Sequence, residues 1–230
     1  MSDLYFAQLP VGEMANFAYL IGSQSTRECL IVDPAWAVDA LVDRAEADGM
    51  RVTGALVTHY HQDHVGGRIF GTEIEGLPRL MARSPVPVHV NTHEAEGVRK
   101  VTGVSEGDIV RHAGGDTISL GAVTVRLLHT PGHTPGSQCF LVEEAGAAGK
   151  LVSGDTLFLG SCGRVDLPGG DPAAMYDSLH HKLKRLPDDT ILYPGHFYAA
   201  DPYGPMGEQK RKNPLLRAAS LEDFLMFMGA

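Results

Sequence analysis

Three histidines and one aspartate lie within a short stretch of the first half of the chain, which reads THYHQDHVGG over residues 58–67. Imidazole nitrogens and carboxylate oxygens are common ligands of zinc and similar divalent ions. A surface cluster without metal is the alternative, but the H-x-H-x-D-H spacing favours a metal site. An apolar run over Val52–Val57 comes directly before it and predicts a strand, so we expect the ligands at the edge of a sheet.

The spacing also indicates how many ions are bound. His59 and His61 are two residues apart, so they point to the same side of an extended chain. Asp63 and His64 follow one turn further on, near the expected start of a short helix. Four ligands are more than one ion with an open coordination position needs, so the pattern favours two adjacent ions.

Three later segments share one sequence pattern, in which an apolar strand-like run is followed by glycine or proline and then by a ligand-type side chain. The side chains are His133, Asp155 and His196. Open α/β sheets place their sites at the carboxyl ends of strands, so these loops could converge on the first cluster. Taken singly, each residue could equally be a hydrogen-bonded loop or turn residue.

The chain has 230 residues, and 43% of them are hydrophobic, so it can bury a substantial core. Strands followed by helices in both halves predict an α/β fold. Without a linker-like segment, we expect one domain over residues 1–230, with 197–230 as a short C-terminal tail. The predicted strands are 4–9, 17–21, 29–32, 52–57, 117–120, 123–128, 137–142, 151–153 and 191–193. The predicted helices are 38–48, 92–100, 172–186 and 220–228, and the Gly- and Pro-rich Phe70–Val90 segment is predicted to be a long, substrate-selecting loop.

Charge and cysteine content limit the classes of binding partner and the cellular compartment that we expect. A net charge of -9 disfavours nucleic acid and anionic lipid as partners, and no apolar run has the ~18 residues of a membrane span. The three cysteines form no C-x-x-C pair, and no secretory signal opens the chain. These features predict a soluble cytoplasmic protein that acts on a small molecule, and a homodimer is compatible with them.

The ordered blocks resemble those of the metallo-β-lactamase superfamily, and within it those of short bacterial glyoxalase II-like (hydroxyacylglutathione hydrolase-type) proteins. The matches span about residues 17–214 and run from Asp33 through the His59–His64 block to His133, Asp155 and His196. The resemblance implies a four-layer αβ/βα sandwich, with two mixed sheets flanked by helices and a metal cleft along one edge. It also implies that Asp33 anchors the first block by hydrogen bonding, and Thr58 is a candidate support for the histidine loop.

The resemblance further implies a division of labour among the ligands. His59, His61 and His133 would bind one ion, Asp63, His64 and His196 the other, and Asp155 would bridge them. Asp63 and Asp155 are thus also the expected catalytic carboxylates. Zinc is the expected ion, with iron and manganese as alternatives, and a hydroxide between the two ions would be the nucleophile.

The leading functional hypothesis is hydrolysis of a thioester such as a hydroxyacylglutathione. Glyoxalase II usually carries a helical C-terminal domain that helps to bind glutathione, whereas this chain has the segment EQKRKNP over 208–214, similar to short bacterial members. The alternative is persulfide dioxygenation at one Fe(II) held by His59, His133 and Asp155, suggested by the Gly160–Arg164 segment. Gln62 and the Gly66-Gly67 pair favour hydrolysis.

Other functions and contacts stay open from the sequence. A lactonase or β-lactamase activity would suit the same scaffold, and a non-enzymatic binding protein would be expected to have lost ligands, which this chain has not. Arg164 could bind a substrate carboxylate, although a local ion pair with Asp166 is the favoured interpretation. Tyr60 and Cys162 are further candidate substrate contacts.

Overall fold

A computed structural model of the chain describes residues 2–229, and the first half of these forms a six-stranded mixed sheet with a small hairpin. Its strands are β1 (Leu4–Val11), β2 (Asn16–Ser23), β3 (Glu28–Val32), β4 (Arg51–Leu56), β5 (Gly67–Ile69), β6 (Thr72–Ile74), β7 (Val88–Asn91) and β8 (Ile109–His112). The sheet order is β1-β2-β3-β4-β7-β8, and β5 pairs with β6 outside it. Strands β3, β4, β7 and β8 run parallel to one another.

The second half forms another six-stranded mixed sheet and a second small hairpin. Its strands are β9 (Thr117–Leu120), β10 (Val123–His129), β11 (Gln138–Glu144), β12 (Lys150–Val152), β13 (Leu157–Phe158), β14 (Ser161–Cys162), β15 (Ile191–Tyr193) and β16 (Gly204–Pro205). The order is β16-β15-β12-β11-β10-β9, and β13 pairs with β14 separately. Only β12 and β15 are parallel neighbours within this sheet.

The helices cover the outer faces of the two sheets. They are α1 (Val38–Ala47), α2 (Gln62–Val65), α3 (Leu77–Arg83), α4 (Ala95–Thr102), α5 (Pro172–Asp177), α6 (Met206–Lys212), α7 (Pro214–Arg217) and α8 (Leu221–Met228). Helix α5 continues as a π-helical turn and a 3-10 turn to Arg185, and a separate 3-10 turn spans Glu106–Asp108. No helix among residues 2–229 has both the length and the apolar character needed to span a bilayer.

Alternating side chains of the central strands explain why two sheets stack under helices. In β2, Phe17, Tyr19 and Ile21 enter a core that they share with Phe140 and Val142 of β11. The alternate residues of the same strands face the helical layers: Ala18 and Leu20 pack in the core with α1, and Cys139 and Leu141 in the core with α5, α7 and α8. Three apolar cores between four layers confirm the predicted αβ/βα sandwich.

The prediction of a long loop over Phe70–Val90 is wrong. Phe70 and Gly71 form the turn between β5 and β6, and the rest of the segment contains β6, α3 and the start of β7, joined by the short connections 75–76 and 84–87. Pro78 sits in the first turn of α3, where its missing N–H costs no hydrogen bond, so it permits the helix rather than breaking it. Leu77 and Leu80, three residues apart, bury one face of that helix and carried the overlooked helical signal.

The other predicted elements are present, with shifts of one to three residues at most ends. Outside the Phe70–Val90 segment, the elements that were not predicted include strands β5, β8, β13, β14 and β16 and helices α6 and α7. Residues 204–228, part of the expected tail, add edge strand β16 and helices α6, α7 and α8. Met206, Leu216 and Phe224 from this segment are fully buried against the second sheet and α5.

Phe140 provides a test of the shared core between the sheets, where its ring is completely buried. Phe140→Ala should lower the free energy of unfolding by about 3–5 kcal/mol, because the substitution leaves a cavity between two sheets that cannot easily collapse. Urea unfolding measures the change. Phe227→Ala, on the exposed side of α8, is the matched control and should change the free energy by less than about 0.5 kcal/mol. Equal effects of the two substitutions would contradict this core assignment.

Candidate metal centre

The seven predicted ligands meet at one edge of the sandwich because each follows a strand that ends there. His59 and His61 follow β4, Asp63 and His64 lie in α2, His133 lies between β10 and β11, Asp155 follows β12, and His196 follows β15. The first sheet reaches the second at this edge, where a β-bridge joins Asn16 to His196 and the Phe17 N–H donates to the Gly195 carbonyl at 2.8 Å.

Three imidazoles form a first pocket, made of His59, His61 and His133. His61 Nδ1 lies 3.1 Å from His59 Nε2 and 3.0 Å from His133 Nε2. His59 and His133 are almost completely buried, and His61 is partly exposed. The three inward nitrogens therefore surround a single point that opens toward solvent on the His61 side.

A second pocket consists of Asp63, His64 and His196. His64 Nε2 lies 3.2 Å from His196 Nε2, and Asp63 Oδ2 lies 3.4 Å from each of these nitrogens. All three residues are buried. Asn16 donates from Nδ2 to Asp63 Oδ2 at 3.0 Å, which fixes the carboxylate, and the Trp36 indole N–H donates to the Asp63 carbonyl at 3.0 Å.

Asp155 lies between the two pockets and reaches both. Its Oδ2 is 3.5 Å from His133 Nε2 and 3.4 Å from His196 Nε2, and its Oδ1 is 3.4 Å from His64 Nε2. The backbone of Gly195 approaches so closely that a Cβ there would lie 2.6 Å from Asp155 Oδ1, so only glycine fits without a shift. The close packing holds the carboxylate in its spanning position.

The outward nitrogens of three imidazoles, those of His64, His133 and His196, are held by acceptors. His133 donates from Nδ1 to the Arg164 carbonyl at 2.7 Å, and His196 donates from Nδ1 to the Met14 carbonyl at 3.0 Å. His64 donates from Nδ1 to the Asp33 carboxylate at 3.0 Å. In the neutral imidazoles that a metal ion requires, these bonds fix the tautomer, so that each Nε2 presents a lone pair to the pockets.

Asp33 anchors the first block through hydrogen bonds, as predicted. Its carboxylate accepts from the Thr58 N–H at 2.8 Å and from the Thr58 hydroxyl at 2.6 Å, besides His64. Because the Thr58 hydroxyl donates to Asp33, it accepts from His59 Nδ1 at 3.0 Å and directs His59 Nε2 inward. Thr58 is thus the predicted support of the histidine loop.

The electrostatics differ between the two pockets. Burial, with the neighbouring His133 and His64, lowers the pKa of His61 to about 4, and burial also lowers the pKa of His59. Both imidazoles are therefore neutral at neutral pH, as metal ligands must be. In the second pocket burial opposes the charged imidazole, but the Asp155 and Asp63 carboxylates outweigh it and raise the pKa of His196 to about 9. That pocket favours a positive charge.

The residues present fit a pair of divalent cations. Zinc–nitrogen distances of about 2.0–2.1 Å at tetrahedral angles place ligand nitrogens about 3.3 Å apart, close to the spacings in the first pocket. Within residues 2–229, buried Asp155 Oδ1 has no hydrogen-bond partner, which leaves it free to act as a ligand. Three groups of side chains have ligand atoms within 4.8 Å of one another: His59, His61 and His133; His59, His64 and Asp155; Asp63, His64 and His196.

A cleft of about 1100 Å³ opens onto both pockets, and its lining includes all three predicted substrate contacts. The Tyr60 hydroxyl donates across it to the Pro168 carbonyl at 3.1 Å. The Arg164 guanidinium makes two bonds of 2.7 Å to the Asp166 carboxylate, which is the ion pair that the sequence favoured. Burial raises the pKa of the Cys162 thiol to about 12, so this thiol is protonated and is not a nucleophile.

Several residues of the site were not predicted from the sequence. Asn16 contacts Asp63 across 47 positions of the chain, and no spacing pattern connects them. Ile69 of the β5–β6 hairpin and Lys100 of α4 also line the cleft, beside Phe70, the first residue of the segment that was predicted to select the substrate. His129 stacks on His93 with a distance of 5.4 Å between the ring centroids.

Comparisons with known proteins agree with this geometry. A hydroxyacylglutathione hydrolase of Polaromonas sp. is 38% identical over 184 residues, covering 80% of this chain and 62% of the relative. The human mitochondrial persulfide dioxygenase ETHE1 is 28% identical over 222 residues, covering 93% of this chain and 76% of the relative. The crystal structure of ETHE1 from Myxococcus xanthus superposes with a TM-score of 0.80 at 30% identity, covering 98% of this chain and 90% of that one.

The family model described as the metallo-beta-lactamase superfamily matches residues 11–196. This range contains all seven residues of the two pockets and their bridge, and both sheets of the sandwich lie within it except β16 and part of β1. By their names, the two relatives compared above are a hydroxyacylglutathione hydrolase and a persulfide dioxygenase. The fold, the matched range and the converging ligand residues establish that this chain belongs to the metallo-beta-lactamase superfamily.

Proposed function

We propose that the protein is a binuclear metallohydrolase that cleaves a thioester such as a hydroxyacylglutathione. The observation that carries the proposal is the position of the Asp155 carboxylate. Its Oδ2 lies 3.5 Å from His133 Nε2 of the first pocket and 3.4 Å from His196 Nε2 of the second, and its Oδ1 lies 3.4 Å from His64 Nε2. A carboxylate placed in this way suits a bridge between two cations. The first pocket would hold one ion, the second pocket the other, and zinc is the ion that a His-rich site of this kind most commonly takes.

The ligand set assigns the catalytic work to the metal centre. Two divalent cations bound there would polarise the thioester carbonyl and supply a water of lowered pKa as the nucleophile. Asp155 and Asp63 hold the centre together, while Asn16 keeps Asp63 turned toward it. In the overall reaction a C–O bond forms, the C–S bond breaks and the thiol takes up a proton, so no oxidant or reductant is consumed.

The cleft walls are suited to an acyl group beside the metal centre. Apolar side chains from the hairpin and α4, namely Ile69, Phe70 and Val101, line the cleft together with Leu167 and Pro168. We infer that Tyr60 and Cys162, which also line the cleft, contact the substrate. Arg164 also lines the cleft, and a substrate carboxylate would have to compete with Asp166 for its guanidinium.

Persulfide dioxygenation is the second candidate, favoured by the similarity to ETHE1 over almost the whole chain. It would use one Fe(II) at His59, His133 and Asp155, and the last two of these lie 3.5 Å apart. Gln62 and the Gly66-Gly67 pair in the first block are typical of the hydrolases instead. The two activities differ in oxygen consumption, which makes them easy to separate.

Zinc-loaded protein should hydrolyse hydroxyacylglutathione without consuming oxygen, and removal of the metal with a chelator should abolish this activity. Asp155→Ala should lower kcat by about 100-fold or more, because both pockets lose a ligand and the reacting groups lose their alignment. Asp43→Ala, on the exposed face of α1, is the control and should leave kcat unchanged. Inactivity on a panel of acyl thioesters, with oxygen uptake by the Fe(II)-loaded protein on glutathione persulfide, would overturn the hydrolase in favour of the dioxygenase.

A substitution of Phe70 tests whether the apolar side chains of the β5–β6 hairpin select the acyl group of the substrate. The Phe70 ring is fully exposed at the tip of the β5–β6 hairpin, so Phe70→Ala should leave the free energy of unfolding and the metal content unchanged. The substitution should lower kcat/KM by about 10-fold for long apolar acyl groups but not for short ones, because apolar contact is lost. Phe227→Ala is the control on α8. A uniform change for all acyl lengths, or a loss of metal, would contradict this role.

A further inference from the structure

Glu94 is a fully buried carboxylate that belongs to neither pocket. It directly precedes α4, yet its side chain makes no capping bond to that helix. A buried carboxylate is unfavourable unless hydrogen-bond donors compensate it. Its partners therefore indicate what it does in the fold.

Both oxygens of Glu94 accept hydrogen bonds from outside α4. Oε2 accepts from the Tyr60 N–H at 2.7 Å, and Oε1 accepts from the Thr134 hydroxyl and the Gly136 N–H, both at 2.7 Å. Hydrogen bonds to a carboxylate are shorter and stronger than those between neutral groups. The contact with Gly136 is so close that a Cβ there would lie 2.6 Å from Glu94 Cγ.

The donors come from the two loops that carry the first pocket. Tyr60 lies between His59 and His61, and Thr134 directly follows His133. One carboxylate thus connects the loop after β4 to the loop between β10 and β11. The loops contribute the three nitrogens whose spacings are 3.0 and 3.1 Å.

We propose that Glu94 is a positioning residue that sets the spacing of the three imidazoles, and thereby the affinity of the first pocket for a divalent cation. The inference rests on the proposed metal centre but not on the identity of the substrate. Asp33 has the corresponding contacts on the other side, to Thr58 and His64, so the two carboxylates hold different parts of the site.

Glu94→Gln should affect the two loops differently, while it changes the volume of the side chain little. The glutamine oxygen can keep the two donors at Oε1, Thr134 and Gly136, which leaves the amide NH₂ facing the Tyr60 N–H. The amide NH₂ and the Tyr60 N–H are both donors, so the hydrogen bond to the His59–His61 loop is lost. The hydrogen bonds to the His133 loop remain. The first pocket should widen, and the second pocket should keep its geometry.

The experiment titrates the full-length, zinc-loaded protein with a competing chelator and follows bound zinc per chain. In the wild type we expect two ions. In Glu94→Gln the affinity for one of them should fall by about 10- to 100-fold, the usual effect of removing a residue that orients a metal ligand, while the other is unchanged. Glu96→Gln, two residues further along, is the control, since that side chain is exposed and pairs with Arg99 and Arg111.

Thr134→Val supplies a second variant, because it removes a single donor from Oε1. It should lower the affinity for the same ion by a smaller factor than Glu94→Gln does. The unfolding midpoint of the metal-free protein shows whether either variant disturbs the fold as a whole. Unchanged affinity for both ions in Glu94→Gln would overturn the inference, as would equal weakening of both ions. A wild-type protein that binds no zinc would instead reject the proposed function on which the inference rests.

Discussion

The site depends on imidazole nitrogens that face one another with lone pairs rather than protons. Where the outward Nδ1–H of a neutral imidazole is committed to an acceptor, as in His59 with the Thr58 hydroxyl, the inward Nε2 has no proton to donate. The inward nitrogens of the first pocket, only 3.0–3.1 Å apart, would then repel each other. A cation between them would remove the repulsion, so the hydrogen bonds around the pockets and a metal within them would stabilise the same arrangement.

The sandwich brings these groups together from distant parts of the chain. His196 and the carbonyl that holds it are 182 residues apart, and they meet because the end of β15 lies against the start of β2. Each sheet contributes ligands to both pockets, and Asp155 of the second sheet spans them. The metal centre therefore lies at the contact between the two halves of the fold, and loss of that contact would separate the ligands.

The candidate ligands were found in the sequence from local patterns. The first block has the H-x-H-x-D-H spacing, and in the three later segments a strand is followed by glycine or proline and then a ligand-type side chain. Most strands of both sheets were predicted for a similar reason, since their apolar runs are long and bounded by turns. The Phe70–Val90 segment was misread because its glycines and prolines lie at the ends of elements, such as Gly76 and Pro78 at the start of α3, rather than within a loop. Asn16 and Glu94 were missed because their roles arise from contacts across the fold, to Asp63 and to Tyr60, which no local spacing records.

Anomalous diffraction from crystals grown with zinc tests the central claim most directly. The account predicts two anomalous peaks per chain, one enclosed by the inward nitrogens of His59, His61 and His133 and the other beside Asp63, His64 and His196, with Asp155 between them. Imidazoles turned away from one another, with no anomalous density in either pocket, would contradict it.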